Sequence, residues 1–485
     1  MRVCLLTEGT YPNVRGGVST WCHELIAGLP EIEFTVYALI GNPSSGMEYT
    51  LPPNVRRTVV LPLWGHERLA EYNHADLRSL GRRDRVALRA IFLPLFNDFL
   101  DEIVRGMESA NPTRLVTIIG GLYRYFREHD YDWTMRRQEV WDATIHHFLA
   151  SAWHARFMTS LEAVELTRSF YRYLAPLALE IPPCELIHTS AAGLCGLVAI
   201  AAKAVRGTPV VLTEHGVYLR ERVLELARAG FPYSDRSIKK NLFSAITRAT
   251  YAASDVIAPV CSYNSNWERF YGVPESRLRL IYNGVDETRF DDRESSTNHP
   301  TVAAMLRIDP LKDIETLVAS ATHVRNRFPD VTYEIYGPIH DYPYNERVCA
   351  LVEQLGLNRT IRFRGSTVDP AAAYADANVV ALSSISEGFP YSVIEAMMCA
   401  KPVVATDVGG VREAIGEFGS VVPPKRPERL AEAICELLAD PIRAAALGKG
   451  ARTRALQFFT LRGCLASYRA LYEELTTAPH EAHIA

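Results

Sequence analysis

With 485 residues, the chain is long enough for two or three domains with cores of their own. Hydrophobic residues make up 48% and charged residues 22%, ordinary values for a globular protein, and a formal net charge of -4 gives no reason to expect nucleic acid or another polyanion as a partner. The nine scattered cysteines include no C-x-x-C pair, a pattern of reduced cytoplasmic thiols rather than of a disulfide framework.

The chain opens with a short strand, "RVCLLT", that ends at Glu8, too early for a signal peptide. A loop with Gly9, Pro12, Gly16 and Gly17 follows, then a helix, "VSTWCHELIAGL", and a second strand, "EFTVYAL". This β-loop-α-β opening marks a doubly wound sheet. From about Leu69 to Ala178 the pattern turns helical and aromatic, as in "RVALRAIFLPLFNDFLDEIVRGM" and "RQEVWDATIHHFLASAWH", and reads as an insertion in the first domain. The basic cluster from Gly81 to Arg89 reads as a solvated helix face. The alternation then returns with "CELIHTS", "AGLCGLVAIAAKAV", "PVVLTEHG", "SDVIAPV" and "LRLIYNGVD". The longest apolar run, Ala191 to Ala202, is too short to cross a bilayer. A cytoplasmic protein is expected, reaching the inner face of a membrane only through partners.

The polar stretch "ETRFDDRESSTNHP", ending in Pro300, is the best domain linker. A second alternating block starts at Thr301, with strands "TVAAMLRI", "TYEIYG", "TIRFRG", "NVVALSS", "KPVVATD" and "SVVPP" separated by helices, and Pro427 to Thr476 is nearly all helical. The expected fold class is α/β, with two Rossmann-type domains and one helical insertion. The first domain spans 1–290 with its insertion at 69–178, the second spans 300–458, and a last helix covers 459–476.

Ligands of such sheets bind beyond the carboxyl ends of the strands. Five strand-end loops carry suitable residues. "SEGFPYSVIEAM" sets Glu387 past one strand and Glu395 in the following helix, with Pro390 suited to its first turn. The amides near Tyr391, Ser392 and Val393 form a helix N-terminus that suits an anion, and Glu395 beside it suits a ribose diol. Glu387 and the backbone of Gly388 and Phe389 face what lies beyond the anion. "DVGGVRE" brings Gly409, Gly410 and Glu413 to the next strand end, and "LRIDPLKD" sets Arg307 and Lys312 where two cations can neutralise a diphosphate. In the first domain, Gly16 and Gly17 precede a helix, and Glu214 and His215 end a strand. Each residue also has an ordinary reading as a first-turn acid, turn glycine, surface charge or core histidine; only the combination points to a nucleoside diphosphate carrying a second group. The paired aspartates of "DYD" (Asp130, Asp132) fall in the helical insertion and read as structural rather than metal-binding.

In their order, the E-x7-E pair (Glu387, Glu395), "LRIDPLKD", "NGVD" (Asn283 to Asp286) and "GGVRE" resemble a retaining glycosyltransferase of family 4, with the GT-B fold, over nearly the whole chain. The words "TEGTYPNVRGGVSTWCHELI" and "TEHGVYLRER", with the insertion, narrow the resemblance to the cytoplasmic glycosyltransferases of Pel exopolysaccharide synthesis. The resemblance implies two domains facing across a cleft and a last helix crossing back to the first. It assigns the diphosphate to Arg307 and Lys312, and the ribose to Glu395. The donor sugar falls to Glu387 with the backbone from Gly388 to Pro390, and Tyr391 and Ser392 belong to the donor- and nucleotide-binding set. Gly16 and Gly17 would approach the diphosphate, His215 the transferred sugar, and Arg364 and Gly365 the base. Arg307, Lys312, Glu387 and His215 form the expected catalytic set, with no metal and no cofactor. The implied reaction moves a hexose or N-acetylhexosamine from a UDP-sugar to a polysaccharide acceptor, in an inner-membrane synthesis complex. Many relatives carry an aspartate after the histidine of the "TEHG" region; here Gly216 follows it. A UDP-sugar epimerase of the same fold and a nucleotide-sensing docking subunit are the alternatives.

Overall fold

The computed structural model describes residues 1–42, 46–64, 82–106, 110–150, 156, 158–293 and 299–477. The start of the expected insertion (69–81), the end of the 137–154 stretch and the middle of the polar linker (294–298) lie outside the described residues. Two six-stranded sheets account for the alternation. The first contains β1 (Arg2–Glu8), β2 (Glu33–Ile40), β3 (Val55–Pro62), β4 (Leu186–Thr189), β5 (Val210–Glu214) and β6 (Val256–Pro259), in the order β3-β2-β1-β4-β5-β6. The second contains β7 (Thr301–Met305), β8 (Thr332–Tyr336), β9 (Ile361–Gly365), β10 (Val379–Leu382), β11 (Val403–Thr406) and β12 (Gly419–Val422), in the order β12-β11-β10-β7-β8-β9.

These are one topology used twice. In each, the first strand of the block lies between its second and its fourth, so the order reverses at β1/β4 and at β7/β10. Helices on both faces explain why the central strands read as unbroken apolar runs: β4, β5, β10 and β11 are buried along their whole length.

Sequence reading passes over β3. Its "VRRT" carries two exposed arginines, as suits an edge strand, and Arg56 pairs with Glu33 on β2 at 3.3 Å. It also predicts a strand over "LRLIYNGVD" that does not form. That segment makes only isolated bridges, Ile257 to Leu278 and Val285 to Thr460.

The insertion is helical throughout its described part. Its helices Leu93–Arg105, Pro112–Glu128, Gln138–Phe148 and Ser160–Tyr173 bury Phe96, Phe99, Phe126, Phe148 and Phe170 in one core with Cys4, Leu6 and Tyr37 of the sheet. It is therefore part of the first domain's core and not an appendage. Gly120 allows helix Pro112–Glu128 to close on helix Gly196–Arg206, since a Cβ there would stand 2.6 Å from the Cβ of Ala204. A π-turn at Leu88–Phe92 precedes Pro94, whose missing amide and bulky ring disfavour a regular α-turn. The "DYD" aspartates are structural, as expected: Asp130 caps helix Tyr131–Met135, and Asp132 accepts from the Tyr171 hydroxyl.

The chain divides into two compact units: 1–258 with 267–279 and 469–485, and 259–266 with 280–468. Residues 280–290 join the second unit because Tyr282 donates to Glu413 (2.8 Å), Asn283 to the Phe389 carbonyl (3.0 Å), and Val285 to the Phe459 carbonyl (2.9 Å). The last helix, Leu461–Thr477, ends in the first unit, where Tyr472 meets His188 and Arg469 meets Glu31.

Candidate active site

The order of the second sheet reverses at β7/β10, and in sheets of this kind the ligand crevice lies outside the carboxyl ends of the strands at that point. Both loops are built from residues singled out in the sequence. After β7, Asp309 caps the turn Pro310–Lys312 by accepting from the Leu311 amide at 2.9 Å. The loop after β10 is tied to it twice: the Ile385 amide donates to the Leu311 carbonyl, and Ser383 Oγ to the Lys312 carbonyl, both at 2.8 Å.

This bracing sets Lys312 Nζ 2.6 Å from Glu387 Oε1, which also accepts from Ser384 Oγ at 2.5 Å. The pair is largely buried, with 17% of the lysine and 9% of the glutamate side chain exposed. Arg307 lies in the same loop, its Nε 3.2 Å from Asp309 Oδ2, and remains 37% exposed. Each expected cation thus has its own carboxylate. Among the described residues Lys312 uses one of its three donors, on Glu387, which leaves two that can serve an anion. Glu387 accordingly orients Lys312, a task that sequence reading did not assign to it.

Helix Tyr391–Met398 starts at the same crevice. Pro390 is its cap residue, with φ -74 and ψ 123, rather than a member of the first turn. The Val393 amide bonds the Pro390 carbonyl at 3.2 Å, so it drops out of the expected set of anion donors. Glu395 sits one turn in. Its Oε2 accepts from the Tyr374 hydroxyl at 2.8 Å, while the residue stays partly exposed. Burial raises the pKa of its carboxyl group above the ordinary value, opposed by the Tyr374 hydroxyl and by Arg289. Tyr374 was missed in the sequence; nothing in "AAAYADA" separates it from a core aromatic. Phe389 is buried against Tyr282 and Phe459, at 5.2 and 5.1 Å between ring centroids, so only its backbone can face a ligand.

The glycines after β11 do a different job from the one expected. Gly409 has φ +56, and a Cβ on it would overlap the Glu387 carbonyl oxygen. The Gly410 amide donates to the Gly388 carbonyl at 2.7 Å. The pair lets this loop back the Glu387–Gly388 segment from behind. Gly409→Ala is expected to destabilise the protein by about 2 kcal/mol or more, from left-handed strain plus the clash; an unchanged urea midpoint would remove this role. Glu413 is spent on structure: it accepts from the Ser262 amide (2.8 Å), Ser262 Oγ (2.5 Å) and Tyr282 (2.8 Å), at the start of helix Ser262–Phe270. At the end of β9, Arg364 Nε lies 2.5 Å from Glu334 Oε2, Arg362 shares that carboxylate, and Gly365 at φ +68 has open space above it.

In the first unit, Gly16 precedes helix Gly17–Gly28 in an extended conformation, with φ 170, so no left-handed backbone requires a glycine there. His215 follows β5, with its ring edge-on to Trp21 at 4.6 Å and its buried Nε2 without a partner among the described residues. Burial lowers its pKa to about 3, so the ring is neutral at physiological pH. A Cβ on Gly216 would stand 2.2 Å from Glu221 Oε1, the mobile end of a long side chain. His188 is a second neutral histidine, between Tyr472 (2.5 Å) and Thr213 (2.7 Å).

Behind His215, Glu214 accepts from the Tyr251 hydroxyl at 2.7 and 2.9 Å. Glu268 is fully buried, and among the described residues no N–H or hydroxyl donor reaches its oxygens. A buried carboxyl without donors keeps its proton, and here shares it with Glu214. Both folded pKa values are raised by burial, so the pair favours the fold fully below about pH 4.3 and loses that contribution as pH rises through the folded values. Glu268→Gln should flatten the fall in urea midpoint between about pH 6 and pH 9; parallel curves for the two proteins would refute the shared proton.

Among the described residues, no group of three or more His, Cys, Asp or Glu side chains gathers as metal ligands, and no helix is long and apolar enough to cross a membrane.

Residues 1–276 match a family described as a domain of unknown function (DUF3492), and residues 285–454 match glycosyl transferases group 1. The chain is 30% identical to a D-inositol 3-phosphate glycosyltransferase of Segniliparus rotundus, over 61% of this chain and 69% of that one. It is 31% identical to an alpha-maltose-1-phosphate synthase of Mycolicibacterium smegmatis, over 56% and 74%. The fold resembles sucrose-phosphate synthase from Thermosynechococcus elongatus, with a TM-score of 0.64 and 19% identity over 99% of this chain and 100% of that one. It also resembles Anabaena HepE in complex with UDP, with a TM-score of 0.60 and 16% identity over 98% and 100%.

Proposed function

The chain belongs to the group 1 glycosyltransferases, with a first domain of the DUF3492 family and the GT-B fold, and on that premise we propose that it transfers a hexose or N-acetylhexosamine from a UDP-sugar to a growing exopolysaccharide. One observation carries the donor side: the β7/β10 crevice gathers Arg307, Lys312, Glu387 and the Glu395 helix within a single unit. HepE, a structural neighbour, was solved with UDP and with UDP-glucose, which supports the same nucleotide here.

In this reading the diphosphate lies against Arg307, Lys312 and the N-terminus of helix Tyr391–Met398. Glu395 Oε1 accepts from the ribose, since Tyr374 occupies Oε2. Glu387 and the Gly388–Pro390 backbone hold the donor sugar, the amides near Tyr391 and Ser392 face the diphosphate, and Arg364 and Gly365 border the base. Gly16, Gly17 and the neutral imidazole of His215 serve from the first domain; such an imidazole can exchange hydrogen bonds with sugar hydroxyls without adding charge. The transfer retains anomeric configuration by a front-face route. The acceptor hydroxyl attacks as the sugar–phosphate bond breaks, its proton passes to the leaving diphosphate, and the two cations stabilise the charge that develops there.

The acceptor reading rests on the first-domain words "TEGTYPNVRGGVSTWCHELI" and "TEHGVYLRER", which resemble PelF of Pel exopolysaccharide synthesis. An inner-membrane synthesis complex is the matching partner, and the cytoplasm the matching location. No metal or cofactor is required, because fixed cations carry the leaving-group charge. The test is release of UDP from UDP-glucose and UDP-N-acetylglucosamine, with and without a polysaccharide acceptor and excess chelator. Acceptor-dependent release that survives the chelator is expected. Conversion of the UDP-sugar to its epimer without acceptor and without UDP release would favour the epimerase reading, and loss with chelator would overturn the metal-free mechanism.

A further inference from the structure

Helix Ser262–Phe270 returns from the carboxyl end of β6 to its amino end, where the chain runs on beside that strand through the Ile257–Leu278 bridge. Its last turn carries Trp267 and Phe270. Tyr271 continues the turn, its amide donating to the Trp267 carbonyl at 2.9 Å. Positions i, i+3 and i+4 share one face of a helix, so the three rings gather there. Trp267 meets Phe270 at 6.1 Å and 81°, and Phe270 meets Tyr271 at 5.3 Å and 73°. Trp267 and Tyr271 stack at 6.3 Å with 27° between their planes. Gly272 closes the turn with φ +87, its amide on the Arg269 carbonyl at 2.9 Å and the Val273 amide on the Glu268 carbonyl at 3.0 Å. That is a Schellman cap, and the Val273 side chain is buried, so the rings stand on a fixed base.

Phe270 is 69% exposed, and Trp267 and Tyr271 are half-buried beside it. The rim is polar and neutral. Arg269 meets Glu275 at two points, Nε to Oε2 at 2.6 Å and Nη2 to Oε1 at 2.9 Å, and Glu275 is 72% exposed. Arg277 is turned onto the carbonyls of Tyr251 (3.2 Å) and Ser254 (3.1 Å), where the C-terminal dipole of helix Tyr233–Ala253 offsets its charge. Such a rim offers nothing to an anionic lipid surface or a nucleic acid. Three rings also fall well short of the about 800 Å² per partner of a stable protein interface. A neutral chain of a few sugar units fits both the charge and the size.

We propose that this face is a second, non-catalytic glycan-binding platform, with Phe270, Trp267 and Tyr271 stacking on the C–H faces of a neutral pyranose chain and the Arg269–Glu275 pair meeting its hydroxyls. A pyranose has a face of C–H groups and a rim of hydroxyls, so it needs an aromatic plate with fixed polar groups beside it. The platform lies at the amino end of β6, whereas His215 follows β5 at the carboxyl end of the sheet. It therefore suits a stretch of polymer away from the reacting end, and holding that stretch raises the effective concentration of the chain being extended. The inference rests on the glycan-acceptor reading above and adds a separate site to it.

The test is calorimetric titration of the full chain with maltohexaose, cellohexaose and chitohexaose, with UDP titrated in parallel and UDP release from UDP-glucose and UDP-N-acetylglucosamine measured with each hexasaccharide as acceptor. At least one hexasaccharide should bind. Phe270→Ala should weaken it by about fivefold or more, Phe270→Tyr should restore most of that loss, and Glu275→Gln should weaken it as well. UDP affinity and the urea midpoint of Phe270→Ala should match those of the unaltered chain, because the ring is largely exposed. Failure of all three sugars to bind, or equal binding by Phe270→Ala, overturns the platform. Self-association of the chain in sedimentation that Phe270→Ala abolishes also overturns it, since the rings would then be a protein contact. Hexasaccharide binding without acceptor-dependent UDP release counts against the transferase reading instead.

Discussion

Replacing Lys312 with alanine is expected to lower turnover by about two to three orders of magnitude, the usual loss when one fixed donor to a developing negative charge is removed. The position of Lys312 is over-determined. Asp309 caps its turn, Ser383 holds its carbonyl, and Glu387 holds its ammonium group at 2.6 Å. The substitution also strips Glu387 of its cation, leaving a mostly buried carboxylate with Ser384 as its remaining donor. Some stability must go with it, because a buried charge without its partner is costly. Pairing Lys312→Met with Glu387→Gln separates the two effects. The double variant should recover the urea midpoint of the unaltered chain and remain inactive. Activity in the double variant would remove Lys312 from the chemistry.

Glu395→Gln is expected to weaken UDP binding by about 1.5–3 kcal/mol, or roughly ten- to a hundredfold, the value of a hydrogen bond to a charged group. The amide oxygen can still accept from Tyr374, so helix Tyr391–Met398 should survive the change. The carboxylate form accepts from ribose, and burial raises the pKa of this group. UDP affinity should therefore fall as pH drops through the Glu395 titration, starting above the usual glutamate value of about 4.3. The glutamine variant should lose that pH dependence. Equal UDP affinity in both proteins would sink the ribose assignment.

The donor-side crevice was legible because it is made of local sequence. Strand, loop and helix N-terminus follow one another within "VVALSSISEGFPYSVIEAM", so spacing alone sets Glu387 beyond a strand and Glu395 one turn into a helix. Partners that arrive from distant segments were not legible. Tyr374 reaches Glu395 from another helix, and Glu268 reaches Glu214 across the first unit. Neither carries a local signal, since a buried tyrosine or an acid in a helix looks the same with or without such a partner. The glycines at 409 and 410 were recognised as needed for close approach, but the surface approached is the Glu387–Gly388 backbone, which only the sheet order brings beside them. β3 escaped because an edge strand with exposed arginines lacks the unbroken apolar run that betrays its buried neighbours.

The central claim is that the second unit's β7/β10 crevice binds a uridine diphosphate sugar. Parallel titrations of the unaltered chain, Glu395→Gln and Lys312→Ala with UDP, GDP and ADP test it most directly. The account predicts that the unaltered chain prefers UDP and that each substitution weakens UDP binding by about tenfold or more. No UDP binding by the unaltered chain, or UDP binding that neither substitution changes, would contradict it.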